Sequence, residues 1–134
     1  LLTAAWAKAL EGSKEPVERL KALTGAQLDQ ITANPAMPML LFSRELNVEN
    51  AALREAFRDR LVTLHGLLMR EVIEGQQDET LCSDVAAGDV AVLLTSLIQG
   101  VAIRWSLGAR DFALREEGLR LLAVQLRLLG VREG

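Results

Sequence analysis

The segment AVLLTSLIQGVAIRWSL, residues 91–107, decides the fold class of this chain. No charged residue occurs from Val90 to Ile103, and Asp89 and Arg104 close this apolar run on its two sides. The run is only about two-thirds of the ~20 residues that a membrane-spanning helix needs. We therefore interpret it as a helix that is buried in protein on most of its circumference, and we expect no contact with a membrane.

Apolar residues recur with the helical period through most of the remaining sequence. The clearest series advances in steps of three and four residues, at Leu53, Phe57, Leu61, Leu64, Leu68 and Val72. Strand signals are nearly absent, because no alternating apolar run is flanked by an Asn-Gly or Asp-Gly turn. The sequence predicts an all-α fold with about six helices in an antiparallel bundle.

Capping residues and helix breakers divide the chain into these helices. Ser13 is the expected N-cap of the second helix, and Pro16 falls in the first turn, where its missing N–H is tolerated. Gly130 is expected just beyond the last helix, because glycine enters the left-handed conformation freely. Residues 74–84, EGQQDETLCSD, are the longest polar connection. The predicted helices lie at about residues 1–12, 14–34, 37–46, 51–73, 87–107 and 111–129.

Composition limits the classes of function that remain. A chain of 134 residues is one domain by size and can bury a core without disulfides or metal. The net charge of −3 argues against binding of nucleic acid by this chain alone. Cys82 is the single cysteine, which suits a reducing compartment. The first residues lack the basic leader of a signal peptide, so we expect a cytoplasmic protein.

Residue patterns that indicate catalysis are hard to find. His65 is the single histidine, and Cys82 lies far along the chain behind a polar loop, so neither has a partner for a triad or a metal site. Glu116 and Glu117 point about 100° apart on a helix and cannot act as an acid–base couple. No glycine-rich phosphate loop occurs. We predict no catalytic residue, no metal and no cofactor, and we do not expect an enzyme.

Binding of a small apolar molecule is the chemistry that the remaining residues suit. Methionine adapts to irregular apolar shapes, and a neutral histidine gives such a cavity one hydrogen bond. The alternative is that each of these side chains simply fills the core. Trp105 could instead cover the helix end, with Arg104 stacked on its ring or paired with an acid. The candidate ligand-binding residues are Met37, Met39, Phe42, His65, Met69, Ile98 and Trp105.

The last helix carries apolar residues over more of its circumference than one buried face requires. Gly118 on this helix and Gly100 on the helix before it would let two helices approach closely, either inside the chain or at an interface. We predict a homodimer in which the last two helices of each chain form a four-helix bundle. The candidate interface residues are Ser96, Gly100, Ile103, Arg104, Leu107, Leu114, Gly118, Leu121, Gln125 and Leu128.

Several stretches occur in an order that resembles a known family. They are PVERLKAL at 16–23, MLLFSRELNVENAALREAF at 39–57, TLCSDV at 80–85, AVLLTSLIQGVAIRWSL at 91–107 and LREEGLRLLAVQL at 114–126. Together they resemble the C-terminal ligand-binding and dimerisation domain of TetR-type (tetracycline-repressor-like) transcriptional regulators. One departure is the polar loop, where the family usually has a glycine near the position of Asp78.

The resemblance implies a function for residues 1–134 as one ligand-binding and dimerisation domain. In this family the last two helices dimerise, and a small, mostly apolar or amphipathic ligand binds between the middle helices. Ligand binding changes the spacing of two N-terminal helix-turn-helix heads, which releases operator DNA. No such head is present in this sequence, so operator DNA would be a partner only through a missing N-terminal domain. The alternative is a stand-alone helical homodimerisation module without a ligand.

Overall fold

The structure, a computed structural model, describes residues 4–35, 51–108 and 111–131, without the side chains of Leu53 and Phe57. These residues form five helices and no strand, which confirms the all-α prediction. The helix predicted at 37–46, with the ligand candidates Met37, Met39 and Phe42, lies outside the described residues. The helices are α1 (Ala4–Glu11), α2 (Pro16–Ala33), α3 (Ala51–Gln77), α4 (Ala87–Leu107) and α5 (Leu114–Leu128).

The start of α2 is set by its proline. Glu15 is the N-cap in an extended conformation, as expected for a residue before proline. The Ser13 hydroxyl accepts a hydrogen bond from the Glu15 N–H at 3.1 Å, outside the helix. The prediction of Ser13 as N-cap is therefore wrong by two residues, because Pro16 prevents Glu15 from adopting helical geometry. The predicted end of this helix at Asn34 is confirmed.

The C-terminal end of α3 lies further along the chain than the sequence predicts. Residues 74–77 are helical, although they were expected in the polar connection. Gly75 is buried at this end, and the Leu81 side chain folds back over it while the Leu81 N–H donates to the Gly75 carbonyl at 3.0 Å. Glu79 follows in the left-handed region with φ 67°. The position where the chain needs a left-handed residue is thus Glu79, next to Asp78.

We expect Glu79→Gly to stabilise the protein, by at most ~1 kcal/mol. Left-handed geometry costs a non-glycine residue about 1–2 kcal/mol, and part of this gain is offset by the larger conformational entropy of glycine in the unfolded chain. Asp78→Gly is the matched control, since it removes the hydrogen bonds that the carboxylate accepts from Thr80, bonds that also lower the Asp78 pKa. Urea unfolding should give opposite signs for the two variants, and a loss with Glu79→Gly would contradict the assignment.

The end of α5 agrees with the prediction for Gly130. This glycine has φ 92°, its N–H donates to the Arg127 carbonyl, and the Val131 N–H donates to the Leu126 carbonyl at 2.9 Å. This is the Schellman arrangement, with Val131 buried beyond the helix. The start of α5, in contrast, is Leu114 and not Asp111, because Ala113 is an extended N-cap.

Helix α2 lies at the centre of the fold and contacts each of the other four helices. Helix α3 packs on α4, and α4 packs on α5. Trp6 fixes α1 on α2, since its ring is buried and its Nε1–H donates to the Gln27 side chain at 3.2 Å. The loop after α3 is held to the end of α5, where the Cys82 N–H donates to the Leu129 carbonyl at 3.0 Å.

Candidate functional site

A groove of about 260 Å3 lies between α3 and α4 and contains the predicted ligand residue His65. Its size is near the lower end, ~300 Å3, of pockets that hold small molecules. The neutral imidazole offers one donor and one acceptor, and the Thr95 hydroxyl donates to the Val92 carbonyl at 2.9 Å, which leaves its oxygen able to accept. The lining residues are Arg58, Leu61, Val62, His65, Thr95 and Gln99.

The other predicted ligand residues within the described chain lie away from this groove. Ile98 and Trp105 are buried in the core, and Met69 is half-buried against it. Core packing, the alternative left open by the sequence, therefore describes these three side chains in the single chain. Met37, Met39 and Phe42 are outside the described residues and stay predictions.

Among the groove residues only His65 was predicted from the sequence, although helical periodicity also indicates its neighbours on α3. Leu61 and Val62 lie one helical turn before His65, and Arg58 lies two turns before it, so all share a side of α3. Thr95 and Gln99 are four residues apart on α4. Extending the helical period from His65 in both directions would have found the α3 half of this site.

Two larger grooves, lined by residues that the structure describes, carry more charged side chains than the groove at His65 and therefore suit an apolar ligand less well. One, of about 680 Å3, is open and carries the charged side chains of Glu15, Glu18, Lys21 and Glu79. The other, of about 500 Å3, lies beside α1 and α2, where alanines share the lining with the charged side chains of Lys8, Asp29 and Arg115. Size alone would favour these two, but a specific site needs a few polar groups directed into an apolar enclosure.

Exposed apolar side chains lie on the outer sides of α4 and α5. Leu107 is 72% exposed and Leu128 is 78% exposed. Arg104 of α4 reaches Glu117 of α5 at 3.8 Å, so the two outer sides are adjacent. We name this surface the α4–α5 face, which comprises Val92, Leu93, Ser96, Gly100, Ile103, Arg104, Leu107, Leu121, Val124, Gln125 and Leu128.

Most predicted interface residues belong to this face, but two do not. Leu114 is buried, and Gly118 is covered by Leu28 of α2 in the same chain. A Cβ atom at Gly118 would overlap the Leu28 δ-methyl groups, so this glycine permits close packing of α5 on α2. Gly100 differs, since a Cβ atom there would meet no atom within 4 Å. The face also contains Val92, Leu93 and Val124, which the sequence prediction omitted.

The family assignment rests on a match over most of the chain. The sequence model of the family described as BetI-type transcriptional repressor, C-terminal, matches residues 16–129. The chain belongs to this family. No curated protein matches the chain, and no solved structure does.

The match places the candidate surfaces inside the BetI-type domain. Residues 16–129 include all of α2, α3, α4 and α5, together with the groove and the α4–α5 face. Helix α1 lies before the matched range. The resemblance to TetR-type regulators is therefore confirmed for the part of the chain that carries both candidate surfaces.

Helix α4 of this BetI-type domain is long and apolar enough to cross a membrane by length and composition, with a mean hydropathy of 1.6. Only 39% of its most apolar 18-residue segment is buried inside the chain. The expectation that α4 is buried in protein on most of its circumference stays a prediction, because its outer side forms part of the α4–α5 face and would be covered only by a partner. Its buried residues form the opposite side and are Val90, Ala91, Leu94, Ile98, Val101, Ala102 and Trp105.

Arg104, the charged residue of the α4–α5 face of this BetI-type domain, is paired with an acid of α5 that lies beside the face. Glu117 accepts hydrogen bonds from the Arg120 guanidinium at 2.6 and 3.1 Å and lies 3.8 Å from Arg104. The hydrogen bond from Arg120, with the charges of Arg120 and Arg104, holds the pKa of Glu117 below its ordinary value. Arg104 thus pairs with an acid, one of the alternatives that the sequence left open. Among residues 4–35, 51–108 and 111–131, no cluster of His, Cys, Asp and Glu could hold a metal ion.

Proposed function

We propose that this chain is the effector-binding and dimerisation domain of a TetR-type transcriptional repressor. The observation that carries the proposal is the α4–α5 face, with large apolar side chains exposed on two adjacent helices. Contiguous apolar surface on a soluble domain is typical of a protein–protein contact. A two-fold dimer requires a patch that is complementary to itself, and two copies of this pair of helices would form a four-helix bundle.

The proposed effector is a small apolar or amphipathic molecule in the groove between α3 and α4. Leu61 and Val62 offer it apolar contact, while His65, Thr95 and Gln99 offer hydrogen bonds. Met37, Met39 and Phe42 stay predicted members of the same site. Neither a cofactor nor a metal is part of this proposal, and no reaction is proposed.

The proposed regulation requires that the effector prefer one arrangement of the domain over another. A ligand with equal affinity for two states shifts neither of them. In the full regulator, the preferred arrangement would change the spacing of two helix-turn-helix heads, which bind operator DNA in the cytoplasm. Operator DNA is thus a proposed partner of the full regulator and not of residues 1–134.

A stand-alone homodimerisation module without a ligand is the second candidate. The small volume of the groove, about 260 Å3, favours it. So does the placement of Met69, Ile98 and Trp105 in or against the core, because these side chains need no ligand to explain them. The two candidates share the dimer and differ in ligand binding.

Thermal unfolding with a panel of small amphipathic molecules tests the effector. A true ligand at a hundredfold excess over its Kd should stabilise the folded state by ~2.7 kcal/mol. Gln99→Trp, which fills the groove, should abolish that shift, while Gln77→Trp, at the exposed end of α3, should keep it. No shift with any member of the panel would favour the ligand-free module, and equal shifts in both variants would place binding elsewhere.

A further inference from the structure

One guanidinium group connects three segments of the chain. Arg19 of α2 donates from Nε to Glu71 Oε1 of α3 at 2.9 Å. Its Nη1 donates to the carbonyls of Leu10, at 2.9 Å, and Ser13, at 3.2 Å. Arg19 therefore links the last turn of α1 and the connection before α2 to the middle of the fold.

Stability alone gives a poor account of this ion pair. The Glu71 side chain is 1% exposed, and within the described residues its Oε2 has no hydrogen-bond partner. A buried carboxylate with an unmatched oxygen is costly, and replacing a buried ion pair by apolar residues is often neutral or stabilising. Such an ion pair fixes the positions of the segments it joins more effectively than it raises the free energy of unfolding. The segments that Arg19 and Glu71 hold in place are therefore the relevant ones.

Glu71 lies on the same helix as the candidate effector groove. It is six residues after His65, which is about 9 Å along the axis at 1.5 Å per residue. A helix moves as a nearly rigid element over this distance, so a displacement of α3 at the groove also displaces the Glu71 carboxylate. Because Arg19 is bonded both to this carboxylate and to the end of α1, α1 is coupled to that displacement.

We propose that Arg19 is a positioning residue that makes the placement of α1 depend on the position of α3. A change at the groove between α3 and α4 is passed through Glu71 and Arg19 to the turn that carries α1. The coupling itself follows from the fold. Its meaning as a response to an effector rests on the function proposed above.

Native-state hydrogen exchange on the full chain tests the connection. In Glu71→Gln, amides of residues 4–15 should lose protection by about tenfold or more, while amides of α4 and α5 change little, because only the link to α1 is weakened. Arg70→Met is the matched control, since it breaks an exposed ion pair with Glu74 on α3 itself, and it should leave exchange of residues 4–15 unchanged. Arg19→Lys keeps the charge but replaces the guanidinium fork, which reaches its acceptors from Nε and Nη1, by a single ammonium, so it should pair with Glu71 and still release residues 4–15.

A bulky side chain in the groove, which acts as a wedge between α3 and α4, tests the coupling of α1 to α3 separately from stability. Thr95→Phe should change exchange of residues 4–15 by about threefold or more in the otherwise native chain and should leave it unchanged when combined with Glu71→Gln. His65→Phe is the second wedge if Thr95→Phe does not fold. Equal effects in both backgrounds, or none in either, would overturn the proposal. Failure of every effector in thermal unfolding would overturn the proposed function and leave this result unaffected.

Discussion

Leu107→Arg combined with Leu128→Arg should convert the proposed dimer to a monomer. Both leucines are largely exposed on the α4–α5 face, and each substitution enters a two-fold interface twice. Each protomer would lose about 2 kcal/mol of favourable free energy from apolar burial in the interface. Two-fold symmetry doubles this loss, which weakens dimerisation about a thousandfold. Sedimentation velocity over a range of protein concentrations measures this shift directly.

Two controls separate the interface from general effects on the chain. Val62→Arg places the same charge at a side chain that is 63% exposed on α3, and it should leave the dimer intact. Gly100→Ala and Gly66→Ala both add a methyl group in open space on a helix, and each should stabilise a protomer by up to ~1 kcal/mol. Only Gly100→Ala should weaken the dimer. Monomers from Val62→Arg but not from the double leucine variant would show that another surface dimerises.

Arg19→Met should lower the free energy of unfolding by ~3 kcal/mol, because it leaves the buried Glu71 carboxylate without a counter-charge. Arg115→Met removes an equivalent guanidinium from a half-exposed pair with Asp29 and should lower it by no more than ~1 kcal/mol. Urea unfolding gives both free-energy differences, provided that the dependence of the free energy of unfolding on urea concentration is the same in each variant.

The double variant Arg19→Met, Glu71→Met tests whether the unpaired charge of Glu71 causes the loss of stability in Arg19→Met. It should recover most of the stability lost in Arg19→Met, because no unpaired charge then remains buried. If Arg19→Met were no more destabilising than Arg115→Met, the burial of Glu71 would carry no electrostatic penalty. The positioning role of Arg19 would then lose its physical basis.

The sequence predicts the helices well where local signals set their ends. Both ends of α4 and the left-handed Gly130 were predicted because polar residues, caps and glycine act within a few positions. The end of α3 was missed because the Leu81 side chain covers Gly75, a contact that residue periodicity does not contain. The start of α2 was misplaced because the effect of proline on Glu15 outweighs the capping preference of Ser13.

The candidate surfaces were predicted less completely, for a related reason. Helical periodicity identifies which residues share a side of a helix, but it does not identify the neighbour that covers that side. Gly118 was placed at an interface because its partner, Leu28, lies in a distant part of the sequence. In the same way, Ile98 and Trp105 satisfied the pattern of a cavity wall and are core residues.

The central position of α2 has a consequence for biosynthesis. Helix α5 is the last of the described helices along the chain that packs on α2. It does so through Gly118 and through the pairing of Arg115 with Asp29, a residue 86 positions earlier. A nascent chain that has emerged only as far as α4 therefore leaves one side of α2 open to water and to other chains. We expect the ribosome-bound protein to depend on chaperones until α5 emerges, because the core around α2 can only then be completed.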